Sequence, residues 1–203
     1  MNLTDAIKHS GRPFEIPDAS RNDLPELFIQ MGFKKGAEIG VKEGAFSEII
    51  CRAGLKLFGI DPYLMYDDYI EPETQERLNQ AMEKAASRLT SYDFTPIHKT
   101  SMGAVRDFPD GSLDFVYIDG YHSFKFVAED IFEWSKKVKK GGGIAGHDYV
   151  YMAKRDKHHV HTRYVVDAYT RAFGMPSWYI IGRKEKIDGE KRDPYRSWFW
   201  IKP

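Results

Sequence analysis

Two kinds of apolar segment alternate through most of this chain, and that alternation limits its fold more than any other feature. Residues 37–41, 55–60, 94–99 and Leu113–Ile118 are brief and closed by turn residues, as is a shorter piece at 144–145 behind glycines 141–143. Such runs read as strands. Between them, residues 45–53, 73–89, 124–138 and 160–173 carry apolar positions at helical spacing; Phe124, Val127, Ile131, Trp134 and Val138 share one side. Leu24, Leu27, Phe28 and Met31 mark an earlier helix that Gly32 stops. Strand–helix repetition calls for parallel strands with crossover helices on both faces. The last two strands, 178–181 and Ser197–Ile201, are joined by a charged stretch with turn signals at Asp188-Gly189 and Asp193-Pro194. With no helix between them, they should pair antiparallel. The expected fold is α/β: a doubly wound, mostly parallel seven-stranded sheet with an antiparallel last strand. Pro13 and Pro17 interrupt residues 1–20, which read as an N-terminal arm; residues 21–203 read as a single domain.

Composition narrows the function. The 203 residues carry 30 Lys+Arg and 30 Asp+Glu, and neutrality argues against a dedicated nucleic-acid binder. Cys51 is the only cysteine, which excludes a disulfide scaffold and a multi-cysteine zinc site and fits a reducing, cytoplasmic setting. No apolar run approaches a membrane span, so no membrane partner is expected.

In doubly wound sheets, ligands bind beyond the carboxyl ends of the strands. The first strand end reads Glu38-Ile39-Gly40-Val41-Lys42-Glu43-Gly44-Ala45-Phe46-Ser47. Gly40 allows a tight turn and a close backbone approach to a ligand, and Gly44 does the same before a helix whose N-terminus offers N–H groups. The spacing is neither the dinucleotide fingerprint nor a phosphate loop. The second strand ends in Asp61, a carboxylate suited to accept two hydrogen bonds from a ribose diol.

The run E-I-G-x-x-x-G-x-x-S followed by G-I-D-P-Y resembles the nucleoside half of class I S-adenosylmethionine-dependent methyltransferases, a Rossmann-like family whose last strand is also antiparallel. The resemblance spans roughly residues 24–201. It implies S-adenosyl-L-methionine as cofactor, with Glu38 and Gly40 facing the methionine part and Asp61 holding the ribose. Gly44 and Ser47 complete the motif, and Thr100-Ser101-Met102 falls where the family contacts adenine.

The fourth and fifth strand ends add a second chemistry. Asp119, in Ile118-Asp119-Gly120-Tyr121-His122, and the pair His147-Asp148 should lie side by side at the sheet mouth. Two carboxylates and an imidazole can ligate a divalent cation: the carboxylates suit magnesium, and the imidazole would also suit manganese, iron or zinc. Such a cation lowers the pKa of a substrate hydroxyl. His122, whose ordinary pKa is about 6.5, suits a general base. The I-D-G-x-H segment with a later G-H-D-Y is similar to a branch that includes metal-dependent sugar O-methyltransferases. By that resemblance Asp119, His147 and Asp148 are the metal positions, Asp119 also borders the cofactor, and Tyr121 stands where the sugar enzymes carry their acidic base. Tyr149 reads as packing.

The expected activity is methyl transfer to an oxygen of a small polar acceptor, sugar-like or anionic. A nucleotide-sugar or nicotinamide enzyme on a related sheet, and a non-catalytic binding protein of the same fold, are the alternatives. The aromatic segment 62–72 reads as a flap or a surface insertion. Residues 154–163 read as a basic loop, whose His158, His159 and His161 form a weaker metal pattern. Net charge is polarised: residues 1–135 sum to −9 and residues 136–203 to +9. The basic half tilts the acceptor toward an anion.

Overall fold

In the computed structural model, the structure describes residues 3–65, 73–150, 160–183 and 195–203. Eight strands form one sheet: β1 (Phe14–Ile16), β2 (Lys35–Ile39), β3 (Lys56–Ile60), β4 (Phe94–Ile97), β5 (Leu113–Ile118), β6 (Val138–Gly146), β7 (Tyr179–Ile181) and β8 (Ser197–Ile201). Their order is β1-β7-β8-β6-β5-β2-β3-β4. Strand β8 runs antiparallel to both neighbours, β6 and β7, and all other pairs are parallel. The α/β class and the antiparallel last strand agree with the sequence reading; the count of seven does not. The eighth strand is β1, an edge strand of three residues between two prolines. Proline is tolerated at an edge because no ladder donor is needed there. Phe14 donates its N–H to the Trp178 carbonyl at 2.9 Å, and Gly182 donates to Ile16 at 3.0 Å.

Seven helices accompany the sheet among the described residues: α1 (Leu3–Ala6), α2 (Leu24–Gln30), α3 (Ala45–Arg52), α4 (Gln75–Leu89), α5 (Ser101–Ala104), α6 (Phe124–Lys137) and α7 (Thr162–Ala172). The strands' period of two sorts the core into layers. Val116 and Ile118 of β5, with Trp198 and Trp200 of β8, pack under α6 and α7 through Ile131, Trp134, Val165 and Val166. Phe115 and Tyr117 of β5, with Phe199 of β8, face the other way, onto Leu24 and Phe28 of α2 and Phe46 and Ile50 of α3. No helix among the described residues is long and apolar enough to cross a membrane.

The ladder continues one residue past each central strand. Gly40 donates to Ile60 at 2.9 Å, Asp61 to Ile97 at 3.2 Å, Asp119 to Ile39 at 2.8 Å and His147 to Ile118 at 3.1 Å. These hydrogen bonds bring the four strand-end residues to one level along the carboxyl edge.

Candidate functional site

The loop after β2 is built on two carboxylates. Asp61 Oδ2 accepts the N–H groups of Val41 at 3.0 Å and Lys42 at 2.9 Å, and its Oδ1 accepts that of Tyr63 at 3.0 Å. Lys42 and Tyr63 both take positive φ, 51° and 48°. This single carboxylate therefore ties two strand-end loops together. Glu38 is buried, and the Ser47 hydroxyl of α3 donates to its Oε2. Burial pushes the Glu38 carboxyl up to about 8, against the Ser47 hydrogen bond that favours its charged form.

Gly40 has φ +89°, and a Cβ placed there would sit 2.2 Å from the Asp119 carbonyl oxygen. The close approach that requires glycine is thus one between two loops of this chain. Gly44 takes φ +73° as the N-cap of α3, a left-handed position that disfavours other side chains.

At the ends of β5 and β6, ligand atoms of Asp119, His122 and Asp148 all lie within 4.8 Å of one another. His122 Nε2 is 2.5 Å from Asp148 Oδ2 and 3.6 Å from Asp119 Oδ1. His147 lies behind them: its Nδ1 is 3.4 Å from Asp148 Oδ1 and 3.8 Å from Asp119 Oδ1, and its buried Nε2 has no hydrogen-bond partner among the described residues. The sequence reading placed His147 with the two acids and His122 nearby; here His122 completes the convergent set. Trp198 Nε1 donates to the His147 carbonyl at 3.0 Å, and the ring is 7% exposed, against 24% for His122. Asp148 takes a left-handed backbone, φ 56°, and its two carboxylate oxygens lie one toward His122 and one toward His147. Burial raises the Asp148 pKa, but hydrogen bonds from His122 and His147 outweigh it and hold the carboxyl well below its usual range. For His147, burial opposes the charge, and the Asp148 hydrogen bond with the Asp119 charge outweighs it, so its pKa is raised.

Arg21 carries no signal in the sequence reading. Its Nη1 is 3.0 Å from Asp119 Oδ2, and its guanidinium lies over the Phe46 ring, 5.0 Å from the centroid. A capping box holds the segment: Ser20 donates its N–H to Asp23 Oδ2 at 2.7 Å, and Asn22 donates to Ser20 Oγ at 3.2 Å. The S-x-x-D spacing was the one available clue to a helical start there.

Ser101 lies in α5, yet its hydroxyl is engaged within the protein. It donates to Asp130 Oδ1 and accepts from Trp134 Nε1, the latter at 2.8 Å. Burial pushes the Asp130 carboxyl up to about 7. Tyr121 packs edge-on against Phe126 at 4.9 Å. Tyr149 is buried and donates to Asp167 Oδ1 at 2.6 Å, consistent with packing. His161 acts as a clamp: its N–H donates to the His122 carbonyl at 2.9 Å, and its Nδ1 accepts from the Phe124 N–H at 3.1 Å. His158 and His159, and residues 66–72 of the expected flap, lie outside the described residues.

The profile of a methyltransferase domain family matches residues 37–149, more than half of the chain. A comparison with curated proteins returns no match. Solved structures are similar along most of the chain. A candidate caffeoyl-CoA O-methyltransferase from Staphylococcus aureus is 15% identical, covers 93% of this chain and 86% of its own, with TM-score 0.61. The O-methyltransferase TomG from Streptomyces achromogenes, solved with S-adenosylmethionine, is 14% identical, with 90% and 79% covered and TM-score 0.57. The N-methyltransferase NodS from Bradyrhizobium japonicum is 15% identical, with 89% and 95% covered and TM-score 0.56. At such identities these likenesses speak for the fold alone. The sequence match and the strand-end geometry together place the chain in the methyltransferase domain family, as a class I S-adenosylmethionine-dependent methyltransferase.

Proposed function

We propose that the protein methylates an oxygen of a small polar acceptor at the Asp119–His122–Asp148 cluster. The observation that carries this reading is the convergence of two carboxylates and an imidazole within 4.8 Å, one strand away from the Gly40 loop. The chemistry of that donor set fits a divalent cation such as magnesium or manganese. Asp119, His122 and Asp148 would hold it, with His147 supporting Asp148 from behind. When bound, a divalent cation supplies Lewis acidity toward an acceptor hydroxyl.

The remaining steps belong to the chain's own residues. Asp61 presents a carboxylate to the ribose hydroxyls, and Glu38 meets the methionine end, giving up its proton as the cationic cofactor binds beside it. Ser47 fixes the Glu38 carboxyl, and Gly44 opens α3 beside it. Ser101 secures the α5 turn against Asp130 and Trp134 beneath the adenine position. Arg21 neutralises one oxygen of Asp119 and leaves the other aimed at His122. Alignment of acceptor oxygen and methyl carbon contributes much of the rate of an in-line displacement.

A second reading has its own observation. The 2.5 Å contact from His122 Nε2 to Asp148 Oδ2 is that of a carboxylate-oriented imidazole, which would act as a general base without metal. Methyl transfer from labelled S-adenosylmethionine to a panel of sugars, phenols and amines, with manganese and with chelator, separates the readings. Metal-assisted O-methylation requires that a chelator stop turnover. Turnover untouched by chelator and abolished by His122→Ala would establish the base instead.

A further inference from the structure

A cavity of about 480 Å³ opens between α7, β7 and the edge strand β1, running from Tyr149 and Arg163 on the carboxyl side of the sheet to Arg12 and Gly174 ahead of β1 and β7. Tyr149 forms part of its wall and follows Asp148 directly in the chain, so cavity and cluster share one loop. Four arginines line it: Arg12, Arg163, Arg171 and Arg196; its carboxylates are Glu15 and Asp167.

Those carboxylates are already engaged. Asp167 Oδ1 accepts from the Tyr149 hydroxyl at 2.6 Å, and its Oδ2 is 3.7 Å from Arg163 Nε. Glu15 is 3.4 Å from the Arg196 guanidinium. Arg196 is buried, and both it and Arg163 lie over the Tyr149 ring, at 5.3 and 5.6 Å from the centroid. Stacking of this kind fixes guanidinium planes and leaves their edges to hydrogen-bond. Arg12 donates Nε to the Pro176 carbonyl at 3.1 Å, a neutral partner, and Arg171 stands at the exposed end of α7. Among the described residues the lining thus holds two more positive charges than negative ones.

We infer that this cavity binds the phosphate-bearing end of the acceptor. An excess of two positive charges suits a phosphate monoester or diphosphate better than a single carboxylate, and guanidinium forks match phosphate oxygens. The volume exceeds what one phosphate needs and accommodates an attached group; ligand pockets commonly span about 300–1,000 Å³. The acceptor hydroxyl would then extend past Tyr149 to the Asp119–His122–Asp148 cluster. This inference deepens the methyltransferase reading above and rests on it for the identity of the ligand as acceptor.

Calorimetry on the full chain tests it, with inorganic pyrophosphate, inorganic phosphate and acetate as probes. Pyrophosphate should bind most tightly and acetate least. The double variant Arg12→Gln/Arg171→Gln changes only rim residues and should weaken pyrophosphate binding about tenfold or more, with Arg163→Gln as an independent second variant. S-adenosylhomocysteine is titrated into the same samples. Unchanged S-adenosylhomocysteine binding with no pyrophosphate binding overturns the cavity inference and leaves the methyltransferase reading standing. Pyrophosphate binding without S-adenosylhomocysteine binding sinks the latter reading. In methyl-transfer assays, phosphorylated sugars should outperform the same sugars without phosphate, and pyrophosphate should raise their KM. A preferred neutral acceptor whose KM ignores pyrophosphate would also overturn the inference.

Discussion

Replacing Glu38 by Gln should make the protein more stable at alkaline pH and no more stable near pH 5. The buried Glu38 carboxyl is pushed up to about 8 from an ordinary 4.5, first by burial and against the Ser47 hydrogen bond. The folded chain therefore holds this proton more tightly than the unfolded chain does. The native state is favoured while the carboxyl stays protonated in both states, below about pH 4.5, and that advantage is lost as pH rises through about 8. At about 1.4 kcal/mol per pKa unit, the whole loss is roughly 5 kcal/mol. Domains are stable by only about 5–15 kcal/mol in total, so the effect is large. Gln mimics the protonated acid in shape and cannot ionise. Urea unfolding of both proteins at several pH values gives the difference directly. The curves should nearly coincide at pH 5 and separate by roughly 3–5 kcal/mol at pH 8.5, with the variant the more stable. A difference that is constant across that range would refute the assignment of a buried, protonated Glu38. The same group links pH to ligand binding: a cationic amine beside Glu38 favours its charged form, so S-adenosylhomocysteine should bind more tightly as pH rises toward 8, with proton release.

Other perturbations read other parts of the edge. Gly40→Ala drives a methyl group into the Asp119 carbonyl, 2.2 Å away, at φ +89°; a loss of about 2–4 kcal/mol in urea unfolding is expected. Asp61→Ala removes the acceptor of three loop N–H groups and should weaken S-adenosylhomocysteine at least about tenfold, or 1.4 kcal/mol, by calorimetry. Ser101→Ala strands the Trp134 N–H and Asp130; thermal unfolding should report a loss of about 1–3 kcal/mol.

The sequence was informative where local chemistry decides the outcome. Leu113–Ile118 and Ser197–Ile201 are dense in β-formers and bounded by turn residues, and both strands appear with those bounds. Asp61 and Asp119 were recognisable because position after a strand is itself a functional signal in this topology. Phe14–Ile16 was hidden because Pro13 and Pro17 mark a break in any local reading, while its partner β7 lies far along the chain. Arg21 reaches Asp119 across 98 residues, a contact that only the folded sheet creates. His122 and His147 could not be ranked from spacing. In the fold both imidazoles reach the two acids, His122 from a half-buried position and His147 from a buried one beneath the Trp198 hydrogen bond. Ser101 illustrates the converse: its place in the motif suggested a ligand contact, while Asp130 and Trp134, a helix away, engage its hydroxyl.

The central claim is a methyl-donor site along the carboxyl edge formed by Glu38, Gly40, Asp61 and Asp119. Calorimetric titration of the unmodified protein with S-adenosylhomocysteine addresses it most directly. Saturable binding of one molecule per chain, tighter at pH 8 than at pH 6, is the expected result. No heat of binding at millimolar ligand at either pH would contradict it.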